Sequence, residues 1–352
     1  MKSNIRIIDI AKLSGVSVGT VDRILHNRGK VSAEKREKVE RILKDIDYSP
    51  NMVARFLASK RSYKFAIVVP AYSDGEYWEL VCSGIETAVH ELKDFQVSVD
   101  YLFFDQYDGN SFSKVIRKIE NTEYSGVIIA TLFGNQVIKL SVKLNEKQIP
   151  YVYIDSNIPD QKNLSYFGAD SYMSGAIAAK LMMAELGKQG DIIIAHAQYI
   201  HSEFSTQITN RESGFVDYLK DNKFEGNLIY LDFITDTTEN LARLNTILQD
   251  TKEAVGGIVF NSKIYELVSL VQLSDNKLVT LIGYDPIWQN IEAIKAGKIS
   301  FLIAQRSVQQ GYDSVKSLCN YLIFNTPIEK EHYMPIDILV KENIDYYNNY
   351  RL

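Results

Sequence analysis

The sequence predicts an α/β protein with a helix-turn-helix headpiece at its N-terminus, followed by a two-lobed domain with doubly wound parallel sheets. Three observations carry that expectation. Two short amphipathic segments meet at Gly15. Charge is split along the chain: residues 1–61 hold 14 Lys and Arg against 7 Asp and Glu, a net of +7, whereas the remainder sits at −12 and the whole at −5. From Lys64 onward, short apolar runs alternate with segments of helical spacing, and such alternation means right-handed βαβ units. The roughly 290 residues involved are enough for two lobes with separate cores.

In the headpiece, Ile7, Ile10, Ala11 and Leu13 have helical spacing before Gly15, and Val16, Thr20, Val21, Ile24 and Leu25 have it after. Glycine permits the sharp turn between two crossing helices. Ser17 is placed to cap the second helix through its hydroxyl. In such a motif the second helix enters the major groove of DNA, and a basic headpiece on an acidic body suits a polyanion bound at one end only. A plain three-helix bundle with a solvated basic face is the competing reading. It leaves the coincidence of turn glycine, cap and charge without a cause. Val31 to Leu43 reads as a third helix. Ser32 is its cap, and Lys35 stands where a capping box would place Glu or Gln. Val39, Ile42, Leu43 and Ile46 face the small core. Pro50 ends this element by disfavouring helical geometry at Ser49. Residues 51–61 read as one short helix, too short for stability alone and so a candidate to fold on binding.

Residues 5–61 resemble the headpiece of the lac repressor family of bacterial transcription regulators. The matching pieces are Asp9-Ile10-Ala11, Gly15-Val16-Ser17, Thr20-Val21, Arg23, Val31-Ser32, Arg36-Glu37-Lys38-Val39, Tyr48-Ser49-Pro50-Asn51, Ala54 and Leu57. The resemblance implies a homodimer on a palindromic double-stranded DNA operator. It places Ser17, Val18, Gly19, Thr20, Arg23 and His26 at the major groove, and Asn51, Ala54 and Leu57 on a hinge helix in the minor groove. Leu57 falls on the position of an apolar wedge that kinks the duplex; its bland alternative is a helix-packing leucine. The chain departs from the family at Asp22, where Ser is usual, at His26, where Asn is frequent, and at Val18 and Gly19, where large polar residues are common. Val18 offers contact to a thymine methyl, and Arg23 either a bidentate bond to guanine or a phosphate contact.

The body reads as strands over 64–70, 97–103, 126–130, 151–155, 191–195, 227–231, 257–260 and 279–285. Helices are expected over 78–92, 112–119, 136–144, 171–186, 211–221 and 238–248. Ligands of such sheets bind beyond the carboxyl ends of the strands, and the informative side chains fall there. Tyr77 and Trp78 follow the first strand. Asp155 and Asp285 each end one, Arg211 opens a helix, and Gln305 follows the apolar run Phe301 to Ala304. Aromatic faces, carboxylates, an amide and a guanidinium match a polyhydroxylated ligand. Singly, each residue has a structural reading: core for Tyr77 and Trp78, a cap for Asp155, an ion pair for Arg211 with Asp285. Jointly they favour a site.

Residues 63–352 are similar to the effector domain of the same family and to periplasmic sugar-binding proteins of the ribose type. This resemblance implies a headpiece over 1–50, a hinge and linker over 51–62, and a periplasmic-binding-protein-like domain over 63–352. Its first lobe would comprise 63–165 with 303–331, its second 166–302 with 332–352. A carbohydrate effector would be held by Tyr77, Trp78, Asp155, Arg211, Asn261, Asp285 and Gln305. Ser156 replaces the common basic residue after the strand-end Asp. Phe260-Asn261-Ser262-Lys263 replaces an Ala-Asn-Asp-like run, so Asn261 and Ser262 both remain candidates for that role, and Trp78 is larger than the usual Phe.

Enzyme signatures are absent: no phosphate loop, dinucleotide fingerprint, nucleophile elbow or H-E-x-x-H occurs. No catalytic residue, cofactor or metal ligand is therefore expected. Asp155 and Asp285 are better explained as hydroxyl acceptors than as an acid–base pair at a reacting bond. Cys82 and Cys319 are too few for a disulfide framework. The five His residues do not cluster, and no run of 18 apolar residues exists. The expectation is a cytoplasmic, ligand-controlled regulator, acting as a repressor of carbohydrate-utilisation genes. Family members use ligand either to release DNA or to promote its binding, and both signs stay open. The competing function is a sugar-binding module whose N-terminal helices mediate protein contacts; the headpiece charge, Arg23 and the hinge pattern favour the regulator.

Overall fold

A computed structural model describes residues 7–25, 29–46, 61–196, 205–233, 236–250, 255–272 and 278–347. His26 and the expected hinge residues Asn51, Ala54 and Leu57 lie outside the described residues. The chain divides into two units, 1–60 and 61–352.

The first unit contains α1 (Ile7–Ser14), α2 (Val18–Leu25) and α3 (Ala33–Asp45). Gly15 takes a φ of +67°, in the left-handed region where a side chain is disfavoured, and so turns α1 into α2. Ile10, Ala11, Val21, Ile24 and Val39 close the small core. Ser17 caps α2 as its position implies, accepting from the Thr20 amide at 3.2 Å. Ser32 does not act likewise. It occupies the N-cap position of α3 with extended backbone, but its side chain makes no capping bond. The i,i+4 pairs Lys38–Glu34 at 2.7 Å and Arg41–Glu37 at 3.3 Å brace that helix instead, each worth a few tenths of a kcal/mol.

The second unit begins with β1 (Tyr63–Pro70), α4 (Tyr77–Glu91), β2 (Val97–Phe104), α5 (Gly109–Glu120), β3 (Gly126–Ala130), α6 (Gly134–Glu146), β4 (Tyr151–Ile154) and β5 (Ser165–Gly168). It continues with α7 (Ser171–Leu186), β6 (Asp191–His196), α8 (Thr206–Asp221), β7 (Leu228–Asp232), α9 (Thr237–Asp250), β8 (Val255–Ile258), α10 (Ile264–Gln272), β9 (Leu278–Tyr284), α11 (Trp288–Lys295) and β10 (Phe301–Ala304). Last come α12 (Ser307–Leu322), β11 (Glu331–Tyr333), β12 (Asp337–Leu339) and α13 (Ile344–Tyr347).

Among the described residues these strands form two six-stranded sheets, ordered β11-β5-β4-β3-β1-β2 and β12-β10-β9-β8-β6-β7. All pairings are parallel except β10 with β12. Central strands are buried on both faces, as Val127, Ile128 and Ile129 of β3 illustrate, which is why they read as continuous apolar runs. Each sheet is the centre of a lobe. The chain passes between the lobes after β5, after β10 and between β11 and β12. These passages come a few residues later than the sequence suggests, because Ser165–Gly168 still pairs with β4 and β11, and Glu331–Tyr333 with β5.

Two helix crossings are set by glycine. A Cβ on Gly175 of α7 would meet the Arg211 carbonyl oxygen at 1.8 Å, and one on Gly214 of α8 would meet that of Tyr172 at 1.9 Å. Backbone contact at this range holds α8 tightly on α7, and with it the functional face of α8.

Candidate functional site

The strand ends of the two lobes face one cleft. Tyr77, Trp78, Asp155, Arg211, Asn261 and Asp285 line it together. Asp155 leaves β4 and Asp285 leaves β9 in the same way. Each has a left-handed backbone, with φ of +75° and +64°, and each amide donates to the neighbouring strand, at 3.1 Å to Phe167 O and 2.9 Å to Ile303 O. Aspartate tolerates this conformation better than most residues. Both carboxylates thus leave the sheet at a kink at the end of the strand.

Asp155, Arg211, Asp285 and Gln305 are 4%, 1%, 3% and 2% exposed. Asp155 Oδ1 accepts from the Tyr77 hydroxyl at 3.0 Å and from Gln207 Nε2 at 2.6 Å. Gln305 stands behind the cleft wall, donating to Asp285 Oδ1 at 3.0 Å and accepting from Gln207 at 3.3 Å. The Arg211 guanidinium lies 4.0 Å from the centre of the Tyr284 ring and donates from Nη1 to Phe260 O at 2.8 Å. Its Nε is buried without a partner among the described residues, a donor available to a ligand oxygen. Tyr77 and Trp78 meet edge to face at 5.0 Å and are both buried. Asn261 turns its Oδ1 back to the Lys263 amide at 2.9 Å, and Ser262 also lines the cleft.

Gln207 is a cleft residue that the sequence does not single out. Arg211 was expected to open its helix; instead α8 starts at Thr206, one turn earlier, with Ser205 accepting from the Ile208 amide at 3.3 Å as its cap. Ser205 followed by a helical pattern was the available signal. Gln207 spans the lobes from α8 to Asp155. A second bridge runs from Lys263 Nζ to the Tyr107 hydroxyl at 3.2 Å.

Burial raises the Asp155 carboxyl above its ordinary range, although Arg211, Tyr77 and Gln207 oppose the rise. Burial likewise pushes Asp285 up to about 6, with Arg211 and Gln305 opposing and the charge of Asp155 adding to it. The folded protein therefore holds an extra proton between the ordinary carboxylate value and about pH 6. Stability from this source is greatest below that window and falls as pH rises through it. Asp285→Asn is expected to flatten the fall and to raise the melting temperature at pH 7.5. Thermal unfolding from pH 4 to 8 checks this; an unchanged slope with a lowered melting point would count against it.

His196 does not line the cleft. Its Nδ1 lies 2.6 Å from Asp232 and its Nε2 3.0 Å from Glu212. Burial disfavours its charge, but the two carboxylates outweigh that and raise its pKa. It ties β6 to β7 and to α8 beside Arg211.

In the first unit, Ser17, Val18, Gly19 and Arg23 are exposed and Thr20 is half-buried, while Val21 and Ile24 point inward. The outer face of α2 is thus the face expected at DNA. Among the described residues, no group of three His, Cys, Asp or Glu could hold a metal ion, and no helix is long and apolar enough to cross a membrane.

A two-lobed ligand-binding domain joined to a helix-turn-helix unit is the class these features define. A family model described as a periplasmic binding protein domain matches residues 65–326, and one described as bacterial regulatory proteins, lacI family, matches residues 6–51. The chain belongs to the lacI family of bacterial regulatory proteins, with an effector domain of the periplasmic binding protein kind. A solved structure of a putative LacI transcriptional regulator from Bacteroides fragilis is 36% identical, covering 82% of this chain and 100% of that one, with a TM-score of 0.77. The ribose operon repressor of Lactococcus lactis is 24% identical over 341 residues, 95% of this chain and 96% of its own. The HTH-type transcriptional regulator DegA of Bacillus subtilis is 32% identical over 154 residues, a match that spans 44% of each chain.

Proposed function

We propose that this protein is a cytoplasmic repressor of carbohydrate-utilisation genes. It binds a palindromic operator as a homodimer, and a sugar or sugar derivative in the cleft changes its affinity for that operator. The observation that carries the effector half is the convergence of three almost fully buried polar side chains, Asp155, Arg211 and Asp285, on one cleft with an aromatic wall, with Gln305 bonded to Asp285 behind it. Polar groups of this kind bond hydroxyls, and a missing hydroxyl leaves one of them unpaired, so discrimination is strong. Asn261 and Ser262 border the same space. The DNA half is supported by the exposed face of α2 and by the family. Ser17, Val18, Gly19, Thr20, Arg23 and His26 read the major groove, and Asn51, Ala54 and Leu57 the minor groove. The named relatives are regulators, which supports a non-enzymatic role.

The mechanism is linkage. A ligand shifts operator affinity only by its differential affinity for two arrangements of the effector domain, and couplings of about 1–3 kcal/mol are typical. Selection of operator fragments from random DNA, followed by gel-shift titration with and without sugars, tests the reading. A palindromic site with steep salt dependence is expected, together with a sugar-dependent change in its affinity. Failure to enrich any palindrome would overturn the DNA half, and indifference of the complex to every sugar would overturn the effector half.

A further inference from the structure

Among the described residues the cleft holds more negative than positive charge, and that imbalance bears on the chemistry of its occupant. This inference rests on the reading of the cleft as a carbohydrate site. In its buried part, Asp155 and Asp285 face one cation among the described residues, Arg211. The guanidinium is engaged elsewhere, over the Tyr284 ring and on the Phe260 carbonyl, and no ion pair within 4.0 Å joins it to either carboxylate among the described residues. Each carboxylate accepts only from neutral groups, and only at Oδ1: Asp155 from Tyr77 and Gln207, Asp285 from Gln305. Oδ2 of both is left without a hydrogen bond from the described protein. The other cationic side chain at the cleft, Lys263, is held 3.6 Å from Glu266 and 3.2 Å from the Tyr107 hydroxyl. Ser156, next to Asp155, is buried and neutral.

A buried charge without a counter-charge is expensive, and it is relieved by pairing or by taking up a proton. A neutral sugar would bond the two Oδ2 atoms but leave the charge excess in place. A sugar acid would add to it. We propose that the effector is a polyhydroxylated compound carrying one ammonium group, an amino sugar, whose cation lies against Asp155 and Asp285. The hydroxyls then meet Arg211 Nε, and the rings of Tyr77 and Trp78 add the attraction of an aromatic face for a cation. Burial raises both carboxyls, and an ammonium beside them would oppose that rise. An amine therefore binds with little proton uptake near pH 7, whereas a neutral sugar draws a proton onto the carboxylate pair.

Calorimetry on the full chain decides between these occupants. Hexosamines bearing the amine at ring carbons 2, 3, 4 or 6 are titrated beside their N-acetyl forms, their parent hexoses, the common pentoses and the corresponding uronates. Each titration is run in two buffers of different ionisation enthalpy. At least one amine is expected to bind about tenfold or more tightly than its N-acetyl and parent forms, with less than about half a proton taken up. Asp285→Asn is expected to erase that preference. A parent sugar or uronate that binds more tightly than every amine overturns the ammonium inference and leaves the carbohydrate reading standing. No heat with any member of the panel overturns both.

Discussion

Asp285→Ala and Arg211→Ala are each expected to abolish the effector response while operator binding without effector persists. Both side chains are almost wholly buried and border the cleft, so on the proposed reading truncation removes a ligand contact and strands its partner. The Asp285 change leaves Gln305 Nε2 without its acceptor. Removing one partner of a buried, charge-assisted contact costs about 2–5 kcal/mol, or roughly 30-fold to several thousand-fold in affinity. The two variants should part company in stability. Arg211→Ala empties the space over the Tyr284 ring and deletes a cation that favours the charge of both carboxylates, so its melting temperature should fall. Asp285→Ala removes a charge that Asp155 already opposes, so its melting temperature should hold better. Calorimetry and thermal unfolding read the two effects separately, and parental affinity in both variants would mean the pocket lies elsewhere.

Val21→Asp is expected to eliminate operator binding and leave effector binding intact. Val21 is fully buried in a core of five side chains, with Ile10, Ala11, Ile24 and Val39. A carboxylate there would sit among apolar side chains, and the cost of several kcal/mol exceeds what so small a core can bear. The unit over 61–352 has its own cores. Its thermal transition and its effector affinity should match the parent. Retained operator binding in gel-shift titration would show that α2 is not the element that docks on DNA.

Much of this was legible in the sequence because parallel strands buried on both faces are continuous apolar runs. Val127 to Ala130 and Leu281 to Tyr284 announce themselves, and the residue that breaks such a run stands at the end of a strand, which is where sites lie. That is how Asp155 and Asp285 could be read. Strand limits were less legible where apolar residues continue past the ladder. The run Gly257 to Phe260 suggests a strand, but β8 pairs over Val255–Ile258 and Phe260 turns away to accept from Arg211. The three-residue strands β11 and β12, and β5 with its mixed Ser-Tyr-Phe-Gly composition, were not legible. Their pairing is decided by tertiary contact rather than by local preference. The same holds for the bond between Gln207 and Asp155, 52 residues apart in sequence, which exists only once the two lobes meet.

The lobes are joined at three places, and Arg306 ties two of them, donating to both oxygens of Asp337 at 2.9 and 3.2 Å. Two stiff bodies linked by one strand of chain can translate, twist and swing. Linked by three side by side, they keep little beyond a swing about the line of the links. The effector domain then has a single mechanical coordinate, its opening angle. Ligands of very different shape can differ in the angle they hold and in how firmly they hold it, but not in the kind of motion they cause. Agonist, partial agonist and antagonist become positions along one axis. An angle sensor, such as a dye pair with one label on each lobe, would rank them in the order of their effect on the operator.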